Sequence, residues 1–113
     1  MIYYHNPRCS KSREGLRLLE NCKKDFKIKL YLSEKITFAE LTEIIQKLKI
    51  KPIELVRTKE KILKENNINV AGMSDKQIIN ILLKFPILIE RPILISDKEA
   101  ILGRPPENLK AML

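Results

Sequence analysis

The chain has no tryptophan, three tyrosines, three phenylalanines, one histidine and two cysteines among its 113 residues, and each shortage excludes something. One histidine and two cysteines cannot supply the four spaced ligands of a zinc site, so metal binding is not expected. So few aromatics leave no surface on which successive bases could stack, and nucleic acid is an unfavoured partner despite a formal charge of +8. The lysines that make up this charge are scattered and interrupted by acids, the pattern of a solvated surface. No apolar run approaches the length of a membrane span and no apolar signal opens the chain, so no membrane association is expected. With two cysteines and no disulfide framework, the expectation is a soluble protein of a reducing compartment, the cytoplasm. The length suits one domain, residues 1–113, with a single core.

What is present concentrates in His5-Asn6-Pro7-Arg8-Cys9-Ser10-Lys11-Ser12-Arg13. Met1 to Tyr4 reads as a strand, Pro7 breaks it, and the polar run after Cys9 lets a helix begin there. The first-turn N–H groups of a helix lack intrahelical acceptors and carry partial positive charge, so they favour a thiolate or a bound oxyanion. Arg8, Lys11 and Arg13 add cations. Cys9 to Ser12 is C-x-x-S, a thioredoxin-type redox motif with a hydroxyl in place of its second sulfur, so any resolving thiol must come from elsewhere. A phosphatase-type C-x5-R loop would need arginine at position 15, which is glycine. Cys22 lies thirteen residues beyond Cys9, and one helix joining them would separate the sulfurs by roughly 20 Å, too far for a disulfide. Its reading is structural.

Beyond the first helix, Lys27 to Leu32 alternates with period two, as in a second strand. Thr37 and Glu40 form a potential capping box before Leu41, Ile44, Ile45 and Leu48, which follow at helical spacing. Short helical stretches are expected up to Arg57 and over Thr58 to Glu65. Ser74 and Gln77 offer a second capping box before Ile78, Ile79, Leu82 and Leu83, with Pro86 as the stop. Ile93-Leu94-Ile95 and Ala100-Ile101-Leu102 read as a hairpin, and Arg104-Pro105-Pro106-Glu107 as the opening of a terminal helix. The order β-α-β, a helical insertion over about 37–85, then β-β-α predicts an α/β fold with one mixed sheet.

These segments together resemble the glutaredoxin-linked arsenate reductases, a family with a thioredoxin-like fold. The likeness rests on the Cys9 motif, Leu55-Val56-Arg57, Pro86 to Ile93, and Gly103-Arg104-Pro105, in order along essentially the whole chain. It implies that Cys9 attacks arsenate, that His5 favours the thiolate, that Arg57, Arg91 and Arg104 hold the oxyanion, and that Pro92 is cis beside the thiol. It implies glutathione as co-substrate and glutaredoxin as partner, with no bound cofactor. Tetrahedral anions suit arginine, whose planar fork matches paired oxygens. The Spx-type transcriptional regulators, which bind RNA polymerase, share this fold and size, but many carry C-x-x-C. A related thiol reductase with another substrate is the remaining alternative.

Overall fold

Short apolar runs set between turns and proline breaks give short strands. The computed structural model describes all residues 1–113, and its strands β1 (Ile2–Tyr4), β2 (Lys27–Lys29), β3 (Ile93–Ile95) and β4 (Ala100–Leu102) form one mixed sheet in the order β2-β1-β3-β4. β1 runs parallel to β2 and antiparallel to β3, and β3 and β4 make the hairpin. Helix α1 (Ser10–Asn21) provides the crossover between the parallel pair, as that pairing requires. The arrangement is that of a thioredoxin-like α/β fold.

The chain divides into two compact units, 1–35 with 91–113, and 36–90. In the first, Tyr3, Leu19, Leu94 and Leu109 form the buried centre, with Leu16, Phe26 and Ile101 packed against it. Burying a side chain of this kind contributes about 1.5–3 kcal/mol. Gly15 permits this packing, since a Cβ there would collide with the Tyr3 hydroxyl and with Leu109 Cδ1 at 2.7 Å. The second unit is helical. Helices α2 (Phe38–Leu48) and α4 (Asp75–Lys84) pack together, and the short α3 (Lys61–Glu65) lies between them in sequence. Both expected capping boxes form: Glu40 N–H donates to Thr37 Oγ1 at 3.1 Å, and Gln77 N–H to Ser74 Oγ at 3.2 Å.

Several expected boundaries move. β2 ends at Lys29 rather than Leu32, because Leu30 and Glu34 close a turn in which Glu34 N–H donates to Leu30 O at 2.8 Å and the Glu34 carboxylate takes the Leu30 N–H. The terminal helix is a 3-10 segment, Pro106–Met112. The stretch before Arg57 is likewise a 3-10 turn, Pro52–Leu55, and the following helix begins only at Lys61. Cys22 caps the C-terminus of α1 and is exposed, not packed.

Candidate active site at the first helix

Cys9 is the N-cap residue of α1, held in extended conformation at φ −95° and ψ 122°. Asn6-Pro7-Arg8-Cys9 is a tight turn that sets it there. Cys9 N–H donates to Asn6 O at 3.0 Å, and Arg8 N–H donates to the Asn6 side-chain oxygen at 3.0 Å. Proline as the second residue of the turn pre-sets its backbone angle. Arg13 N–H then donates to Cys9 O at 3.0 Å, the first bond of the helix. The thiol is partly exposed.

Burial of the sulfur raises its pKa, but the Ser12 amide, the Arg91 guanidinium and the Lys11 amide outweigh it, and the net direction is down. A thiolate is therefore favoured by a helix start and by one cation. Alkylation checks this. Cys9 should react faster than exposed Cys22 near neutral pH, and its rate should persist below the ordinary thiol range before falling as the thiolate is protonated. Equal rates at the two cysteines would contradict it.

Ser12 organises the neighbourhood. It is fully buried; its Oγ accepts from Asn6 N–H at 3.0 Å and lies 2.7 Å from His5 Nδ1, while its carbonyl accepts the Tyr3 hydroxyl at 2.6 Å. The His5 ring thus meets Ser12 rather than the Cys9 sulfur, and it stacks on Tyr3 at 5.6 Å between centroids. Burial and, secondarily, the Arg13 charge lower the His5 pKa, which favours a neutral imidazole. With Asn6 donating to the Ser12 oxygen, the Ser12 hydroxyl either donates to Nδ1 or accepts from it, according to the ring tautomer. Tyr3 is pushed upward by burial, against the pull of its bond to Ser12, so it stays a phenol.

Sequence alone presents Ser12 only as a missing sulfur. The spacing of the residues α1 buries, Ser12, Gly15 and Leu19, falls on one helical face, and that periodicity is the signal that could have marked Ser12 as inward-facing. Ser12→Ala is expected to cost about 1–3 kcal/mol of stability, because it leaves the buried Asn6 N–H without its acceptor; urea unfolding measures it. The lowered His5 pKa has its own consequence. As pH falls below the ordinary value of 6.5, the unfolded chain takes up a proton that the folded chain resists, so stability declines, and His5→Asn should flatten that dependence.

Arg91 is buried, and the Arg91–Pro92 peptide is cis. Arg104 is also followed by a cis proline, Pro105, a feature the sequence did not single out. The two loops are joined: Arg104 Nη1 donates to Arg91 O at 3.1 Å and Gly103 N–H to Pro92 O at 2.8 Å. A Cβ at Gly103 would meet Pro92 Cγ at 2.8 Å, so glycine permits this approach. The unit of 1–35 with 91–113 therefore holds Cys9, His5, Arg91, Pro92 and Arg104, with Arg91 at the sulfur and Arg104 on the Arg91 carbonyl.

Arg57 belongs to the 36–90 unit. A bridge between Val56 and Ile89, flanked by Arg57 N–H to Leu88 O at 2.7 Å and Glu90 N–H to Leu55 O at 2.8 Å, fixes its backbone. Its side chain lies between two carboxylates: Nε donates to Glu60 Oε1 at 3.1 Å, and Nη1 is 3.9 Å from Glu90 Oε2. The charge-assisted bond to Glu60 orients the planar guanidinium. No group of three or more His, Cys, Asp or Glu side chains could hold a metal ion, and no helix is long and apolar enough to cross a membrane.

Comparison with known proteins places the chain as a whole. The chain is 40% identical over 114 residues to an arsenate reductase of Haemophilus influenzae, covering all of this chain and 98% of that one. It is 39% identical over 107 residues to the uncharacterized protein YfgD of Escherichia coli, covering 94% and 90%. Among solved structures, the arsenate reductase from Vibrio cholerae superposes with a TM-score of 0.91 at 38% identity, covering 99% of this chain and 96% of that one. The model of the ArsC family matches residues 4–112. With that match over nearly its full length, the chain belongs to the ArsC family.

Proposed function

We propose that this protein reduces arsenate to arsenite with a single catalytic thiol, Cys9, drawing electrons from glutathione through glutaredoxin. The observation that carries the single-thiol reading is Ser12: where a dithiol enzyme would place its second sulfur, a buried hydroxyl is committed to Asn6 and His5. The relatives named arsenate reductases support the substrate.

The chemistry proceeds in two displacements. The Cys9 thiolate attacks arsenic, an S–As bond forms, and an oxygen leaves as water after protonation. Glutathione thiolate then attacks the Cys9 sulfur, the S–As electron pair passes to arsenic, and arsenic falls from +5 to +3 as two thiols become one mixed disulfide. Glutaredoxin resolves that disulfide. Arg91 and Arg104 supply donors and charge for the oxyanion beside the thiol, with Arg57 as the third arginine. His5, neutral and bonded to Ser12, holds the helix start that favours the thiolate. The location assigned to this activity is the cytoplasm, where such thiols are kept reduced.

Arsenite formation by the purified protein tests the proposal. Turnover is expected with arsenate, glutathione and glutaredoxin together, and not with thioredoxin replacing them. Equal turnover with thioredoxin alone would overturn the donor, and no turnover under any condition would overturn the substrate.

A further inference from the structure

The turn that presents Cys9 and the first turn of α1 carry three exposed cations, none of them paired with an acid. Arg8 is exposed, and its only hydrogen bond is the one its backbone makes to Asn6. Lys11, two residues beyond the thiol, is exposed with no side-chain partner. Arg13, also exposed, has one nitrogen on the Pro7 carbonyl at 2.9 Å, which leaves its charge beside the turn unneutralised. From His5 to Arg13 the segment contains no acid. Exposed cations at a helix N-terminus face the positive end of its dipole, an unfavourable arrangement that an approaching anion relieves. A turnover that needs an external thiol supplies such an approach.

We infer that Arg8, Lys11 and Arg13 form a rim that selects anionic thiols and disulfides as reaction partners of Cys9, by attracting carboxylates flanking the partner's sulfur. The inference rests on the reading of Cys9 as a nucleophile that exchanges with an external sulfur. Glutathione fits this chemistry, having two carboxylates and one ammonium around its thiol. The rim acts on the encounter: fixed charges within about 10 Å of the reacting sulfur raise the local concentration of opposite charge and repel like charge. The reaction it accelerates is a simple exchange. The Cys9 thiolate attacks one sulfur of the partner disulfide, a new S–S bond forms, and the other half leaves as a thiolate.

The test compares three small disulfides against the full-length protein, followed by intact mass: glutathione disulfide, which is anionic; 2-hydroxyethyl disulfide, which is neutral; and cystamine, which is cationic. Because all three meet the same thiolate, ratios of their rate constants cancel any change in the Cys9 pKa. The rate for glutathione disulfide relative to the neutral one should fall roughly three- to tenfold in Arg8→Gln/Lys11→Gln, and the rate for cystamine relative to the neutral one should rise. In the parent protein, raising salt from low to about 0.5 M should shift both ratios the same way without any substitution. Ratios that are indifferent to both salt and substitution, with Cys9 reacting normally, would overturn the rim and leave the single-thiol reading standing. Failure of Cys9 to react with any of the three would overturn that reading and the rim with it.

Discussion

Cys9→Ser is expected to reduce arsenate turnover by roughly a thousandfold or more, to the limit of detection, since a serine hydroxyl at neutral pH is a poor nucleophile toward arsenic and cannot form the mixed disulfide. Cys22→Ser should stay within about twofold of the parent, the ordinary range for an exposed substitution. The difference follows from position. Cys9 caps the start of α1 and Cys22 caps its end, roughly 20 Å away along the helix, and only the first lies where amides and Arg91 favour a thiolate. Initial rates of arsenite formation for both variants, with circular dichroism to confirm folding, measure it. Comparable loss in both would contradict a single catalytic thiol.

The second large effect is expected from the arginines. A charge-assisted contact to an arsenate oxygen contributes about 1.5–3 kcal/mol, so Arg57→Ala, Arg91→Ala and Arg104→Ala should each cut kcat/KM by about ten- to a hundredfold or more. Arg91→Ala should be the most damaging, because this side chain lowers the Cys9 pKa in addition to making the oxyanion contact proposed for it. Its loss should therefore also slow alkylation of Cys9, which a residue that only bound substrate would not do. Arg104→Ala also loses the bond to the Arg91 carbonyl at 3.1 Å. Lysine at each position should restore only part of the activity, since it keeps charge but not the planar fork. Three folded alanine variants with parental kcat/KM would make these arginines ordinary cations and remove the oxyanion site.

The parts of this fold that local chemistry decides are legible in the sequence. The two capping boxes need only residues three apart, the apolar spacing of α2 and α4 repeats every turn, and the break at Pro7 and start at Cys9 follow from backbone geometry within one turn. Period-two alternation continues through Leu30 and Leu32 and so extends β2 on paper, whereas the Glu34 carboxylate, four residues on, takes the Leu30 N–H and closes a turn that alternation does not register. The 3-10 geometry of Pro106–Met112 is set by packing, with Leu109 drawn into the centre beside Tyr3 and Leu94.

At the site the same division holds. Cys9 and the two proline-preceding arginines could be picked from sequence, but the join between the Arg91 and Arg104 loops depends on β3 and β4 lying side by side. Ser12 was visible as a substitution for sulfur, not as the acceptor that ties Asn6 and His5 to the helix, because that role depends on how β1 packs against α1. The Glu60 and Glu90 carboxylates around Arg57 combine both cases: Glu60 is three residues away, while Glu90 arrives through the Val56 to Ile89 bridge.

The most direct measurement is a single turnover with stoichiometric arsenate and glutathione, without glutaredoxin, quenched with acid and read by intact mass and peptide mapping. One glutathione joined by a disulfide to Cys9, formed together with an equivalent of arsenite and absent when arsenate is omitted, is the predicted result. Arsenite released with Cys9 still a free thiol, or with the adduct on Cys22, would contradict a mechanism in which Cys9 alone carries the electrons from glutathione to arsenic.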